Sequence, residues 1–286
     1  MPNFQIITDS CSDFNEQMYH EFNVGSAPLS VLYKGELHEN FSDDASLKAL
    51  YDGIRAGEMP TTSAVNPEGW TALMKPILER GEDILAICFA SVLSATCQNA
   101  VIAANELREE FPDRKVHIVD SCCATLGQGL LIMKACEKRD AGESLEAVAA
   151  WAVEAKNHVA HWITVDNLFH LKRGGRLSAT TAIVGTMLNI KPLLVITAEG
   201  KLISHSKARG RKAALEAIVK QIDAHCIDRS LVTIAHADCP EDAEALAAAI
   251  KTRCGVAEVR IAYIGAVIGA HTGPGALAVC FMADQR

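Results

Sequence analysis

Three short apolar runs, each closed by polar residues, constrain this chain more than any other feature. They are Phe4–Asp9, Asp83–Phe89 and Lys115–Asp120. Helical patterns separate and follow them, over Pro67–Arg80, Ser94–Phe111 and Leu126–Arg139. Strands alternating with helices predict βαβ units and a parallel sheet. Such sheets hold ligands outside the carboxyl ends of their strands. Thr8, Asp9 and Ser10, Ala90 and Ser91, and Asp120 and Ser121 are therefore expected on one rim.

A fourth helix is expected over Ser144–Asn157, and strand character returns at Trp162–Val165. With 286 residues the chain suits two domains. The boundary is placed near residue 160, giving domains 1–160 and 161–286. The second half reads as helical at Leu168–Lys172, broken at Gly174 and Gly175, then helical again from Ala179 to Leu188. Extended runs at Lys191–Thr197 and Lys201–Ser206 flank a hairpin-type turn at Glu199 and Gly200. A helix Arg211–His225, a strand Leu231–His236, a helix Glu241–Arg253 and a strand Glu258–Ile264 come next, with a last strand at Ala276–Met282. The expected fold class is α/β.

Charge and composition exclude several functions. The chain carries 27 Lys+Arg against 35 Asp+Glu, a net charge of −8, which disfavours a nucleic-acid partner. Aromatic residues are only 5%, too few for a base-stacking platform, so aliphatic side chains must fill the core and any apolar cavity. There is no basic stretch followed by a long apolar segment, so no signal peptide is expected. Nor is there an uninterrupted apolar run of the roughly 18 residues a membrane span needs. The ten cysteines sit mostly inside apolar segments and read as buried thiols of a reducing, cytoplasmic environment. Phosphate-loop, dinucleotide-fingerprint, serine-elbow and H-E-x-x-H motifs are all missing from the sequence. His158 and His161 lack further ligands for zinc, and no metal or cofactor site is expected.

What remains is a set of hydroxyl-rich loops: Thr8–Asp13, Pro60–Ser63, Ser91–Thr96, Asp120–Ser121 and His271–Gly275. Ser94 reads as the N-cap of the helix after it, where free N–H groups suit a carboxylate or phosphate. His271, in a glycine-rich turn, can donate to an anion.

In order along residues 6 to 275, these loops resemble the DegV family. Thr8-Asp9-Ser10 with Asp13 looks like its opening signature, and Thr62-Ser63 with Pro67 like its next loop. Leu93–Gln98 is similar to its L-S-G-T-x-Q element, with Ala95 at the glycine and Cys97 where tyrosine is common. Leu168–Ser178 resembles L-x-x-L-x-x-G-G-R-[ILV]-S, and Gly269–Gly275 closes the series. The resemblance implies a two-domain α/β fold: an N-terminal parallel-sheet domain with flanking helices, holding an acyl tunnel, and a C-terminal α/β domain contributing the His271 loop. It implies a bound long-chain fatty acid whose carboxylate is held by Thr62, Ser63, Ser94 and His271. It further implies a non-catalytic subunit that presents this carboxylate to a separate ATP-binding kinase, which forms the acyl phosphate. Arg209 and Arg211 are the residues it assigns to docking that partner.

Two other readings compete. One is a phosphotransferase or hydrolase acting at an Asp9, Ser94 and His271 rim. The other is a regulator that senses a small anion without an acyl tail.

Overall fold

The computed structural model describes residues 4–39, 43–166, 168–177 and 189–286. The expected helix Ala179–Leu188 and the motif's Ser178 lie outside these residues. Four strands form a wholly parallel sheet in the order Val24–Ala27, Phe4–Asp9, Asp83–Cys88, Val116–Asp120. The Ile6, Ile7, Ile84, Leu85 and Ile87 side chains are all fully buried there, because helices cover both faces.

A second sheet takes its six strands from residues 159 onward. Its order is Leu202–Arg209, Ile190–Ile196, Val159–Thr164, Leu277–Met282, Leu231–His236, Glu258–Tyr263. Only the last pair is parallel. The hairpin over Glu199 and Gly200 thus forms as the turn residues predict. The helix Thr125–Asp140 packs against strands of both sheets. That explains why it is apolar nearly all round, with Leu126, Leu130, Leu131, Ile132 and Met133 fully buried.

The sequence pattern alone assigns no element to residues 14–60. The structure places two helices there, Glu16–Phe22 and Asp44–Arg55, and a small antiparallel sheet in the order Glu36–His38, Ser30–Tyr33, Thr61–Ser63. The strands are three or four residues long, too short for an alternation to stand out. The helices do carry sequence signals: Asn15 and Asp43 cap them, accepting from the N–H groups of Met18 and Ser46. Asn66 likewise caps Pro67–Glu79, with Pro67 in its first turn. The strand Thr61–Ser63 of the small sheet carries Thr62, and its pairing with Ser30–Tyr33 fixes that residue's place.

Candidate functional site

Main-chain and side-chain bonds lock two hydroxyl-rich loops together, the one after Thr62 and the one before Thr96. Thr96 Oγ1 accepts from the Val65 N–H at 3.3 Å, and Asn99 Nδ2 donates to the Val65 carbonyl at 2.7 Å. The buried Trp70 indole donates to the Thr96 carbonyl at 3.0 Å. Ser94 is not the N-cap of the following helix, which starts at Thr96 after Ala95. It lies one residue earlier, with Oγ 2.9 Å from Thr96 Oγ1 and accepting from the Thr96 N–H at 3.3 Å. The turn before the helix is one residue longer than the capping pattern implied.

His271 also departs from expectation. It sits in the last turn of a short helix, Ala266–Thr272, rather than in the glycine-rich loop that follows. Its Nε2 is 2.8 Å from Thr62 Oγ1. Its Nδ1 is buried without a hydrogen-bond partner. Burial, followed by the Arg176 and Arg173 charges, pushes the imidazole down to about 4, so it is neutral at pH 7.

Thr62, Ser63, Ser94 and His271 all line one cavity of about 240 Å³. The remaining wall is almost entirely aliphatic, with Leu29, Leu93, Leu171, Ile196, Leu202 and Ile268 among its residues. The lining comes from both halves of the chain. Ser63 is exposed and marks an open side, whereas Thr62, Ser94 and His271 are half-buried. A few polar residues on a largely aliphatic wall suit a ligand with one polar head and an apolar body.

Arg176 lines the same cavity, although the sequence pattern alone assigns it no role. Its Nε donates to the Leu93 carbonyl at 3.2 Å and its Nη1 to the Gly174 carbonyl at 2.6 Å. These bonds fix the guanidinium beside the Ser94 loop. The residue is visible within the Gly-Gly-Arg motif, but only folding shows that it shares a wall with His271.

Asp9 does not join this group. It is fully buried, and its carboxylate accepts from the N–H groups of Cys11 at 3.0 Å and Phe89 at 2.7 Å. Burial raises its pKa to about 6 in spite of these bonds. A rim of Asp9, Ser94 and His271 is therefore not assembled. Ser94 bonds Thr96 and His271 bonds Thr62, so they do not form a nucleophile–base pair. Arg209 is exposed at the end of its strand, and Arg211 opens the helix Arg211–His225, donating from Nε to Asp242 at 2.7 Å. Neither lines the cavity. His161 lies in a strand, buried, with Nδ1 3.1 Å from the Val159 carbonyl oxygen. Among the described residues no cluster could hold a metal ion, all ten cysteines are free, and no helix is long and apolar enough to cross a membrane.

The model of the DegV family matches residues 3–284. A DegV domain-containing protein of Clostridium perfringens is 39% identical over 289 residues, covering 100% of this chain and 99% of its own. A fatty-acid-binding DegV family protein of Thermus thermophilus has a similar structure, with a TM-score of 0.88 and 31% identity over 98% of this chain and 99% of that one. DegV of Bacillus subtilis, a fatty acid binding protein, superposes with a TM-score of 0.85 at 29% identity, over 99% and 100% of the two chains. The chain belongs to the DegV family, and its α/β architecture is that of the family's solved structures.

Proposed function

We propose that this DegV-family chain binds a long-chain fatty acid, with the carboxylate at Thr62, Ser63, Ser94, His271 and Arg176 and the tail along the aliphatic wall. The observation that carries this reading is the convergence of those five polar residues on one cavity whose remaining described lining, Thr125 and Thr272 apart, is apolar. The fatty-acid binding of its structural relatives supports it. Burying each methylene contributes about 0.8 kcal/mol, so the tail supplies most of the affinity. A buried carboxylate is costly unless paired and hydrogen-bonded. Arg176 provides the charge and the hydroxyls provide donors. The bare Nδ1 of His271 favours the proton on Nε2, which then donates to Thr62 Oγ1 and leaves the Thr62 hydroxyl free to donate to the ligand.

The bound carboxylate is presented to a separate ATP-dependent kinase subunit in the cytoplasm, which phosphorylates it to the acyl phosphate; Arg209 and Arg211 belong to the face that docks this partner. The lack of a phosphate-loop motif in the sequence supports a presenting rather than a phosphorylating role. Extraction of the purified protein and mass spectrometry should find roughly one long-chain fatty acid per chain. Only water-soluble ligands, or none after reloading with fatty acid, would overturn the reading.

A further inference from the structure

Two short helices meet beside the head-group end of the cavity, Phe169–Arg173 and Ala266–Thr272. Each is followed by a glycine, and each glycine faces a histidine of the other helix. A methyl group on Gly174 would overlap the His271 ring at Nδ1 and lie 3.0 Å from Cε1. A methyl group on Gly273 would overlap the His170 ring at Cδ2. Arg173 ties the pair together, donating from Nη2 to the Ala270 and Pro60 carbonyls at 3.2 Å. Gly174 has φ −75° and ψ −9°, an ordinary right-handed conformation that any residue adopts. Its lack of a side chain therefore answers to the ring lying on it and not to its backbone.

We propose that Gly174 is a positioning residue for His271: its bare backbone is the seat that holds the imidazole with Nε2 on Thr62, and the reverse contact of His170 on Gly273 fixes the register of the two helices. This rests on the reading of His271 as part of the head-group site. The seat also shuts Nδ1 away from solvent. Arg176 and Arg173 face the same ring, and both oppose its protonation.

The test uses the full chain, stripped of lipid, as Gly174→Ala, His271→Ala and the double variant. Palmitate is the probe, and the His271 imidazole is titrated by NMR. Gly174→Ala should weaken palmitate binding by about tenfold or more, the scale of one hydrogen bond to a charged group. The imidazole pKa should rise from about 4 toward 6.5 as the ring leaves its seat. The double variant should bind as His271→Ala does, because the ring that the added methyl would overlap is then gone. Unchanged palmitate binding and an unchanged imidazole titration in Gly174→Ala would overturn the proposal, as would losses that add in the double variant. If Gly174→Ala does not fold, folding restored by His271→Ala supports the seat, and a double variant that stays unfolded overturns it. Should the wild-type protein not bind palmitate, the head-group reading falls, while the imidazole titration and the coupling of the two substitutions in unfolding experiments still judge the seat.

Discussion

The Tyr51 hydroxyl donates to the Ile264 carbonyl oxygen at 2.6 Å, linking positions 213 residues apart in two fully buried places. Ile264 lines the cavity and shortly precedes the helix that carries His271. The Tyr51 ring also packs against Gly269 of that helix. A helix of the N-terminal half thus holds a site residue of the C-terminal half. Tyr51→Phe removes only the donor and leaves a buried carbonyl unsatisfied. It should cost about 1–3 kcal/mol in urea unfolding. A change within about 0.5 kcal/mol, the usual scatter of neutral substitutions, would show that the bond contributes nothing.

Ser94→Ala and His271→Ala should separate affinity from presentation. Ser94→Ala removes at most one bond to the carboxylate and His271→Ala the donor that orients the Thr62 hydroxyl, each about 1.5–3 kcal/mol at most and well below the gross drive of a long tail. Both variants should still carry lipid after purification. Small misplacements of a reacting atom cost on the order of a hundredfold in rate, so acyl-phosphate formation with the kinase subunit should fall steeply. Wild-type phosphorylation in folded, lipid-loaded variants would remove both residues from the head-group site.

The fold was legible wherever an apolar run of five or six residues alternated with a helix of three turns or more. The parallel strands at Phe4–Asp9, Asp83–Cys88 and Val116–Asp120, and the helix Arg211–His225, keep to their patterns within a residue or two. Residues 14–60 were not legible, since strands such as Glu36–His38 are too brief to show a period. Thr62, Ser63, Ser94 and His271, the residues proposed to hold the head group, were legible as loop motifs, and all four line one cavity. Arg176 was not, because its motif says nothing about which wall it faces. Asp9 was misplaced for a physical reason: a strand-end aspartate can face a ligand or turn inward to accept backbone N–H groups, and only the folded chain shows it bonded to Cys11 and Phe89.

Arg176→Met tests the charge at the head group while keeping an apolar stem of similar length. The guanidinium is the one permanent positive charge among the described residues that line the cavity. The affinity for palmitate should fall by about ten- to hundredfold, the scale of a hydrogen bond to a charged group. The affinity for hexadecanol, which has the same tail and no charge, should stay within a fewfold of wild type. Equal losses for acid and alcohol would mean that Arg176 supports the wall and does not pair with the carboxylate.

Asp13 gives the protein a pH dependence that can be isolated. It is buried, and burial raises its pKa from 3.8 to about 7, while the nearby Thr125 hydroxyl and Gly265 N–H pull the other way and the Asp9 charge adds to the rise. The folded state therefore binds this proton more tightly than the unfolded chain does. Its stabilisation is fully present below pH 3.8 and is lost as the pH rises through about 7. The full interval corresponds to roughly 4 kcal/mol at 1.36 kcal/mol per pKa unit. His161 and His271 act in the opposite sense. Their pKa values are depressed to about 3 and about 4, so their stabilisation is present above 6.5 and fades as the pH falls. The wild-type curve mixes these opposed terms with that of Asp9, whose pKa burial raises to about 6 and which acts in the same sense as Asp13. Asp13→Asn keeps Asp9 and both histidines, so the difference between the two proteins reads Asp13 together with its coupling to Asp9. Asparagine cannot ionise, so Asp13→Asn should gain on wild type as the pH rises from 4 to 8, by up to roughly 4 kcal/mol. Urea unfolding of both proteins at pH 4, 6 and 8 measures the gain. A difference that stays constant across the three values would mean that Asp13 ionises at an ordinary carboxylate pKa and is not held in a closed, low-dielectric place.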